Sequence, residues 1–119
     1  MSAMTKTSFR RNMKLLRQWG YQCIVCGRPF ACVACVTVEH IIPRSIRGNN
    51  KTNCAPSHWR CNQLKGCMPL MVAAKAVDEM ERRLGPKQFH DWLGAKVPNR
   101  EVPWFALIPI VDAEWFFFK

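Results

Sequence analysis

The sequence predicts an α+β fold: a β-hairpin and a helix gathered round a cysteine knuckle, with one helix before them and helices after. Three observations predict it. Cys23 and Cys26 form a CxxC pair followed by Gly27; the β-branched run "CVACVTVEH" ends at His40; and helical periodicity marks both flanks, in residues 8–19 and again after Pro69.

The elements follow in order. "SFRRNMKLLRQW" (residues 8–19) puts Phe9, Met13, Leu16 and Trp19 on one helical face, and Gly20 stops the helix. Arg10, Lys14 and Arg17 make a second stripe, which suits either a phosphate backbone or plain solvent. "CIVCG" reads as a tight turn, and "CVACVTVEH" as a strand ending near His40. Pro43 and "RGNN" mark a loop, with a short return strand around Lys51 to Cys54. Pro56 or Ser57 opens a helix that runs to about Gly66. After Pro69 a longer helix reaches Leu84, burying Leu70, Ala73, Ala74, Val77 and Met80, and "GP" stops it. "PKQFHDWL" is a further short helix carrying Phe89, Trp92 and Leu93, and from Ala95 the chain is Pro-broken and aromatic, closing with "EWFFFK". The chain divides as one domain in three parts: a basic N-terminal helix (1–21), a knuckle, hairpin and helix (22–66), and a helical cap with an aromatic tail (67–119).

Composition narrows the chemistry. At 119 residues with 49% apolar content, the chain can bury a modest core that a metal would help to staple. The sequence shows no signal peptide and no apolar run long enough for a membrane span, so a cytoplasmic, reducing setting is expected. There, seven cysteines spaced in pairs read as metal ligands or thiols rather than disulfides. The net charge of +10 points to a polyanion, nucleic acid before a membrane surface or mere solubility. That charge is uneven. The first 77 residues hold twelve Lys and Arg but one acid, Glu39, and the other seven acids lie between Asp78 and Glu114.

Cys23 and Cys26 are spaced to share one zinc ion, and "SHWRC" supplies a second half-site, His58 and Cys61, three apart on the expected helix. Two cysteines, a histidine and a further cysteine complete a tetrahedral structural zinc site. Cys32 and Cys35 form a second CxxC, and Cys54 and Cys67 are left over; these four read as competing ligands, a second site, or buried reduced thiols.

With the knuckle in place, "CIVCG…VEHIIPRSIRGNN…N…HWRCNQLKG" resembles the HNH endonuclease family, in the zinc-knuckle branch of the ββα-metal (His-Me finger) nucleases, over residues 22–66. The resemblance implies a ββα-metal finger. It makes Glu39 an acidic ligand of a catalytic metal, where Asp is commoner, and His40 the general base. Asn53 would steady the loop bearing the base, and Asn62 would be the second metal-binding position. His58 stands where many zinc-bearing relatives have Cys, and "CVAC" departs from the family pattern. Small stand-alone relatives are typically carried by phages or mobile elements.

The residue types suit phosphodiester hydrolysis. A neutral imidazole, with an ordinary pKa near about 6.5, takes the proton of an attacking water. One divalent ion, Mg²⁺ or Mn²⁺, bound by a sparse set of Glu39 and Asn62, stabilises the leaving oxygen. A lone carboxylate in a basic field meets that need, since more acids would repel DNA. Consecutive strand residues point to opposite faces, so Glu39 and His40 require the strand to bend at its end. Arg44, Arg47, Lys51 and Lys65 are expected phosphate contacts; Trp59 and Arg60 fit either backbone contact or packing.

The function expected is a metal-dependent DNA endonuclease giving nicks or double-strand cuts. The rival is a non-catalytic zinc-stapled DNA-binding module, which would need the cysteines and the charge but not Glu39, His40, Asn53 and Asn62 together. The aromatic tail suits docking a partner, packing on its own domain or sealing a homodimer, which leaves monomer and dimer both open.

Overall fold

The computed structural model describes residues 2–3, 5–40, 54–98 and 100–118, with side chains for residues 5–39, 54–98 and 101–114. Helix α1 (Lys6–Gln18) begins at Thr5, whose Oγ1 accepts from the Ser8 amide while Ser8 Oγ accepts from the Thr5 amide, both at 3.1 Å. These reciprocal bonds satisfy two of the donors that a helix start leaves open. The helix buries Phe9, Met13 and Leu16, as the periodicity predicts. Trp19 sits at the C-cap, half-buried, and its indole donates to the Cys54 carbonyl at 3.2 Å. Gly20 (φ 67°) and Tyr21 (φ 62°) then turn the chain, with the Tyr21 amide on the Leu16 carbonyl at 2.7 Å. A left-handed conformation is uncommon for a tyrosine, and it turns the chain straight into the knuckle.

The expected strand across "CVACVTVEH" is split. Val33–Cys35 forms a 3-10 turn, and β2 (Val36–His40) follows. Residues 33–36 are all fully buried, so the segment has no solvent face to alternate with and packs as a turn. Strand β3 (Cys54–His58) pairs antiparallel with β2, in a register that sets Val36 opposite His58, Glu39 opposite Ala55 and His40 opposite Cys54. Here the sequence expectation needs correction, because Pro56 and Ser57 lie inside β3 and do not open a helix. Pro56 is tolerated since each strand of a two-stranded sheet is an edge, and its carbonyl accepts from the Ile24 amide at 3.0 Å. Helix α2 (Trp59–Lys65) starts one residue after His58, its N-cap, and ends at Gly66. The residues expected to start the return strand, Lys51 to Asn53, lie outside the described residues.

Helix α3 (Leu70–Leu93) combines the two expected helices. The backbone still breaks where "GP" predicts, at Gly85 (φ 82°, ψ 167°), a conformation that glycine reaches without a Cβ clash. Pro86 then resumes the helix, where a missing N–H costs nothing. Ala73, Val77, Phe89 and Leu93 are buried; Leu70, Ala74, Met80 and Trp92 are half-buried.

The tail packs on the body of its own chain. Phe105, Ala106, Ile110 and Ala113 join one core with Phe9, Met13 and Leu16, and the Phe105 ring meets the Phe9 ring edge-on at 5.1 Å. A second 3-10 turn (Trp104–Ala106) precedes α4 (Ile110–Phe118). Two-residue strands β1 (Ser2–Ala3) and β4 (Arg100–Glu101) pair in parallel, so the N-terminal residues lie beside the segment that leads into the tail. The uneven charge is bridged in the same direction. Arg28 in the knuckle reaches Asp78 at 3.2 Å and Glu81 at 2.8 Å on α3, and Arg17 reaches Glu114 on α4 at 3.0 Å.

Candidate metal cluster and acid site

The sequence-predicted site residues that are described gather in two places around the knuckle, the hairpin and α2. In the first, Cys23, Cys26, His58 and Cys61 converge, with one ligand atom from each and all four within 4.8 Å of one another. Backbone bonds shape the knuckle: the Cys23 amide donates to the Arg28 carbonyl at 3.0 Å and the Gly27 amide to the Cys23 carbonyl at 2.9 Å. Gly27 sits at φ 74°, the left-handed turn that lets the two thiols face the same way. A bridge between Gln22 and Pro29 closes the base of the turn.

His58 reaches the cluster by a route different from the one the spacing suggests. It is not on the helix: its backbone is extended (φ −63°, ψ 142°) at the end of β3. The expected placement of His58 and Cys61 on one helix therefore holds for Cys61 alone, and His58 converges from the strand side.

Its ring shows which nitrogen is free. Nε2 lies 3.1 Å from the Pro29 carbonyl oxygen, which can only accept, so Nε2 carries the proton. Nδ1 is left as the bare nitrogen, and it lies 3.5 Å from the Cys26 sulfur and 3.9 Å from that of Cys61. A backbone carbonyl that fixes the tautomer behind a ligand histidine is the usual support of a metal site. The Phe30 ring lies against the imidazole at 4.4 Å between centroids.

The thiols are tuned together. Hydrogen bonds from the Cys26 and Cys61 thiols hold Cys23 as a thiolate down to about 3, while Cys61, donating to Cys23 and then to Cys26, is pushed well above the usual thiol range. Three sulfurs beside an imidazole lone pair suit a soft divalent ion, and three Cys with one His is a zinc donor set. Among the described residues no other Cys, His, Asp or Glu group of three or more converges in this way.

The second place is Glu39. Its carboxylate is 10% exposed and lies 3.1 Å from Lys65 Nζ, itself 12% exposed. Lys65 is thus the counter-ion of the lone acid, where the sequence suggests a phosphate contact. Asn62 precedes Lys65 by three residues on α2 and so lies on the same side of that helix, half-buried. Strand β2 keeps its register through His40. The bend expected after it, the His40 side chain, and Asn53, Arg44, Arg47 and Lys51 all lie outside the described residues and side chains.

The remaining residues take ordinary places. Arg60 lies over the Trp59 ring at 4.7 Å and bonds Gln63, a packing role. Arg10 and Lys14 are exposed on α1, whereas Arg17 of the same stripe is held by Glu114. Cys35 is buried, Cys32 and Cys54 are half-buried, and Cys67 is exposed, so Cys67 is not the buried thiol that its residue type suggests. Sequence reasoning did not find the Pro29 carbonyl or the Arg28 clamp, which spans Cys26 O, Asp78, Glu81 and the Phe89 face. A backbone acceptor leaves no residue-type signal; Arg28 had one, as the sole basic residue between positions 18 and 43.

No curated protein and no solved structure matches this chain. Among the described residues no helix is long and apolar enough to cross a membrane. Residues 23–67, which hold both the cluster and the Glu39–Lys65 pair, match the model of the family described as HNH endonuclease.

Proposed function

We propose that this protein is a metal-dependent DNA endonuclease that hydrolyses phosphodiester bonds, acting as one domain. The observation that carries the reading is Glu39, the only acid among the first 77 residues, shielded from solvent and paired with a cation on the helix that also bears Asn62. A buried carboxylate whose counter-ion is a lysine is a ready place for a stronger cation.

Cys23, Cys26, Cys61 and His58 Nδ1 hold a structural zinc that fixes the start of α2 against the hairpin. Glu39 and Asn62 hold one Mg²⁺ or Mn²⁺, which when bound supplies Lewis-acid stabilisation to the phosphate and the leaving oxygen. Lys65, three residues beyond Asn62 on α2, would supply positive charge to the phosphate beside the ion. His40, as neutral imidazole, takes the proton of the attacking water. Asn53 steadies the segment that bears the base. Arg44, Arg47 and Lys51 contact the phosphate backbone, and the exposed Arg10 and Lys14 offer further positive charge.

A second reading has its own support. A Glu39 already neutralised by Lys65 needs no ion, and the same scaffold would then be a zinc-stapled DNA-binding module without catalysis. Supercoiled plasmid separates the two. The nuclease relaxes or linearises it in Mg²⁺, stops in excess EDTA and resumes when Mg²⁺ or Mn²⁺ is restored. The binding module shifts the plasmid on a gel and leaves it intact under every metal.

A further inference from the structure

Cys32 and Cys35 lie outside the four-ligand cluster, and nothing in the nuclease reading uses them. They bracket a single 3-10 turn. Cys32 is its N-cap and is half-buried; Cys35 is its last residue and has no exposed surface. Cys32 is extended (φ −153°, ψ 171°), and the turn that follows folds Cys35 back towards it. The Cys35 thiol lies 3.1 Å from the Cys32 carbonyl oxygen and also hydrogen-bonds the Cys32 sulfur. That thiol bond, opposed by burial and aided by the Ala34 and Cys35 amides and the Lys96 charge, lowers Cys32 to about 6, while Cys35 is pushed up.

The turn is gripped from outside as well. The Val97 amide donates to the Ala34 carbonyl at 3.0 Å and the Ile110 amide to the Ala31 carbonyl at 3.1 Å. The C-terminal segment thus holds the pair in register without a covalent link. An accessible nucleophilic sulfur backed by a buried thiol on the same turn is the division of labour of a dithiol couple.

We propose that Cys32 and Cys35 are a redox-active dithiol, oxidised to an intramolecular disulfide by a low-molecular-weight disulfide such as glutathione disulfide. The Cys32 thiolate attacks one sulfur of that disulfide, its S–S bond breaks, and the first small thiolate leaves and takes a proton. Cys35 then attacks the Cys32 sulfur, the mixed S–S bond breaks, and the Cys35 proton passes to the departing second small thiolate. Two electrons pass from the protein to the oxidant, so one small disulfide becomes two small thiols. The zinc cysteines are spared because their sulfurs are committed to the ion, and the proposal stands whether or not the chain cuts DNA.

The test uses the purified, zinc-loaded full chain equilibrated in glutathione buffers of graded redox poise, quenched with a maleimide, peptide-mapped and analysed for zinc. The expected result is one two-electron transition giving a disulfide mapped to Cys32 and Cys35, with zinc retained and exposed Cys67 glutathionylated as an internal control. Cys32→Ser and Cys35→Ser each remove the transition. Carbamidomethylation of Cys32 in the reduced parent should rise with pH through about 6. The proposal is overturned if both thiols stay reduced where Cys67 is fully modified, or if oxidation pairs either of them with another cysteine. It is also overturned if the parent holds a second zinc ion that Cys32→Ser removes. Mapping in the unaltered chain keeps the outcome decisive even where a variant folds poorly.

Discussion

The cluster and the acid site stand a few residues apart on the same hairpin and helix, yet they are built on opposite plans. At the cluster three of the four ligands are aimed inward by the backbone: Gly27 turns Cys26, the Pro29 carbonyl turns His58, and the Cys23 sulfur accepts from the His58 amide at 3.4 Å. At the acid site one carboxylate is described, and the cation facing it sits on a long flexible lysine stem. The difference separates two demands on a metal site. A structural ion is held by a closed, fully supplied ligand set, while a catalytic ion needs positions open for water and substrate. Under the proposed function the acid site is of the second kind, and the Lys65 ion pair would keep its carboxylate neutralised when no ion is bound.

The largest test of this contrast is removal of a cluster ligand. Structural zinc contributes about 10 kcal/mol or more in small zinc domains, as much as a domain's whole stability. Cys61→Ala or Cys26→Ala should therefore lose zinc and most helical circular dichroism, while Cys54→Ala and Cys67→Ala keep both. A Cys61→Ala protein that stays folded would remove the structural role of the cluster.

Loss of the acid site should do the reverse, sparing the fold and stopping the reaction. His40→Ala should slow plasmid cleavage about 10²- to 10⁴-fold, with near-normal DNA binding by gel shift and unchanged circular dichroism. Glu39→Gln should cost a similar factor. Cleavage by the His40→Ala protein at the parent rate would take His40 out of the base role.

His58→Cys probes the support behind a ligand. The sequence suggests that a thiolate would serve equally, but the new side chain leaves the Pro29 carbonyl without its donor and vacates the space beside Phe30. Zinc should be retained with stability lower by about 1–3 kcal/mol, read from denaturant unfolding. Equal stability would mean that the Pro29 bond contributes nothing.

The smallest effect belongs to Lys65. Lys65→Met removes the competing cation, so Mn²⁺ should bind the DNA-free protein about tenfold more tightly, roughly 1.4 kcal/mol, by electron paramagnetic resonance titration. Unchanged Mn²⁺ affinity would show that the ion pair does not overlie the metal position.

Much of this was legible in residue order because the signals are local. Periodicity and stop residues gave α1 and the break at Gly85–Pro86. CxxC with a glycine after it gave one half of the cluster, since such a turn needs only backbone bonds within a few residues. The errors fall where contacts distant in sequence decide. Pro56 and Ser57 read as a helix start, yet pairing with β2 and the Ile24 amide keeps them in a strand. "CVAC" reads as a strand because Val and Cys favour one, yet burial on every side and bonds from Val97 and Ile110 fold it into a turn.

By itself the sequence determined which chemistry the chain can offer: the donors for one zinc ion, one acid beside one histidine, and a basic field around them. Those follow from residue identity and short spacing, which no packing alters. Only the tertiary structure decided how they are held. It brought His58 in from a strand rather than a helix, fixed its tautomer with a carbonyl twenty-nine residues earlier, and set Lys65 against Glu39. It also laid the aromatic tail over α1 and the turn that carries Cys32 and Cys35. Such pairings join residues far apart in the chain. They depend on the shape of the whole buried core, which residue order encodes only through the sum of many weak contacts.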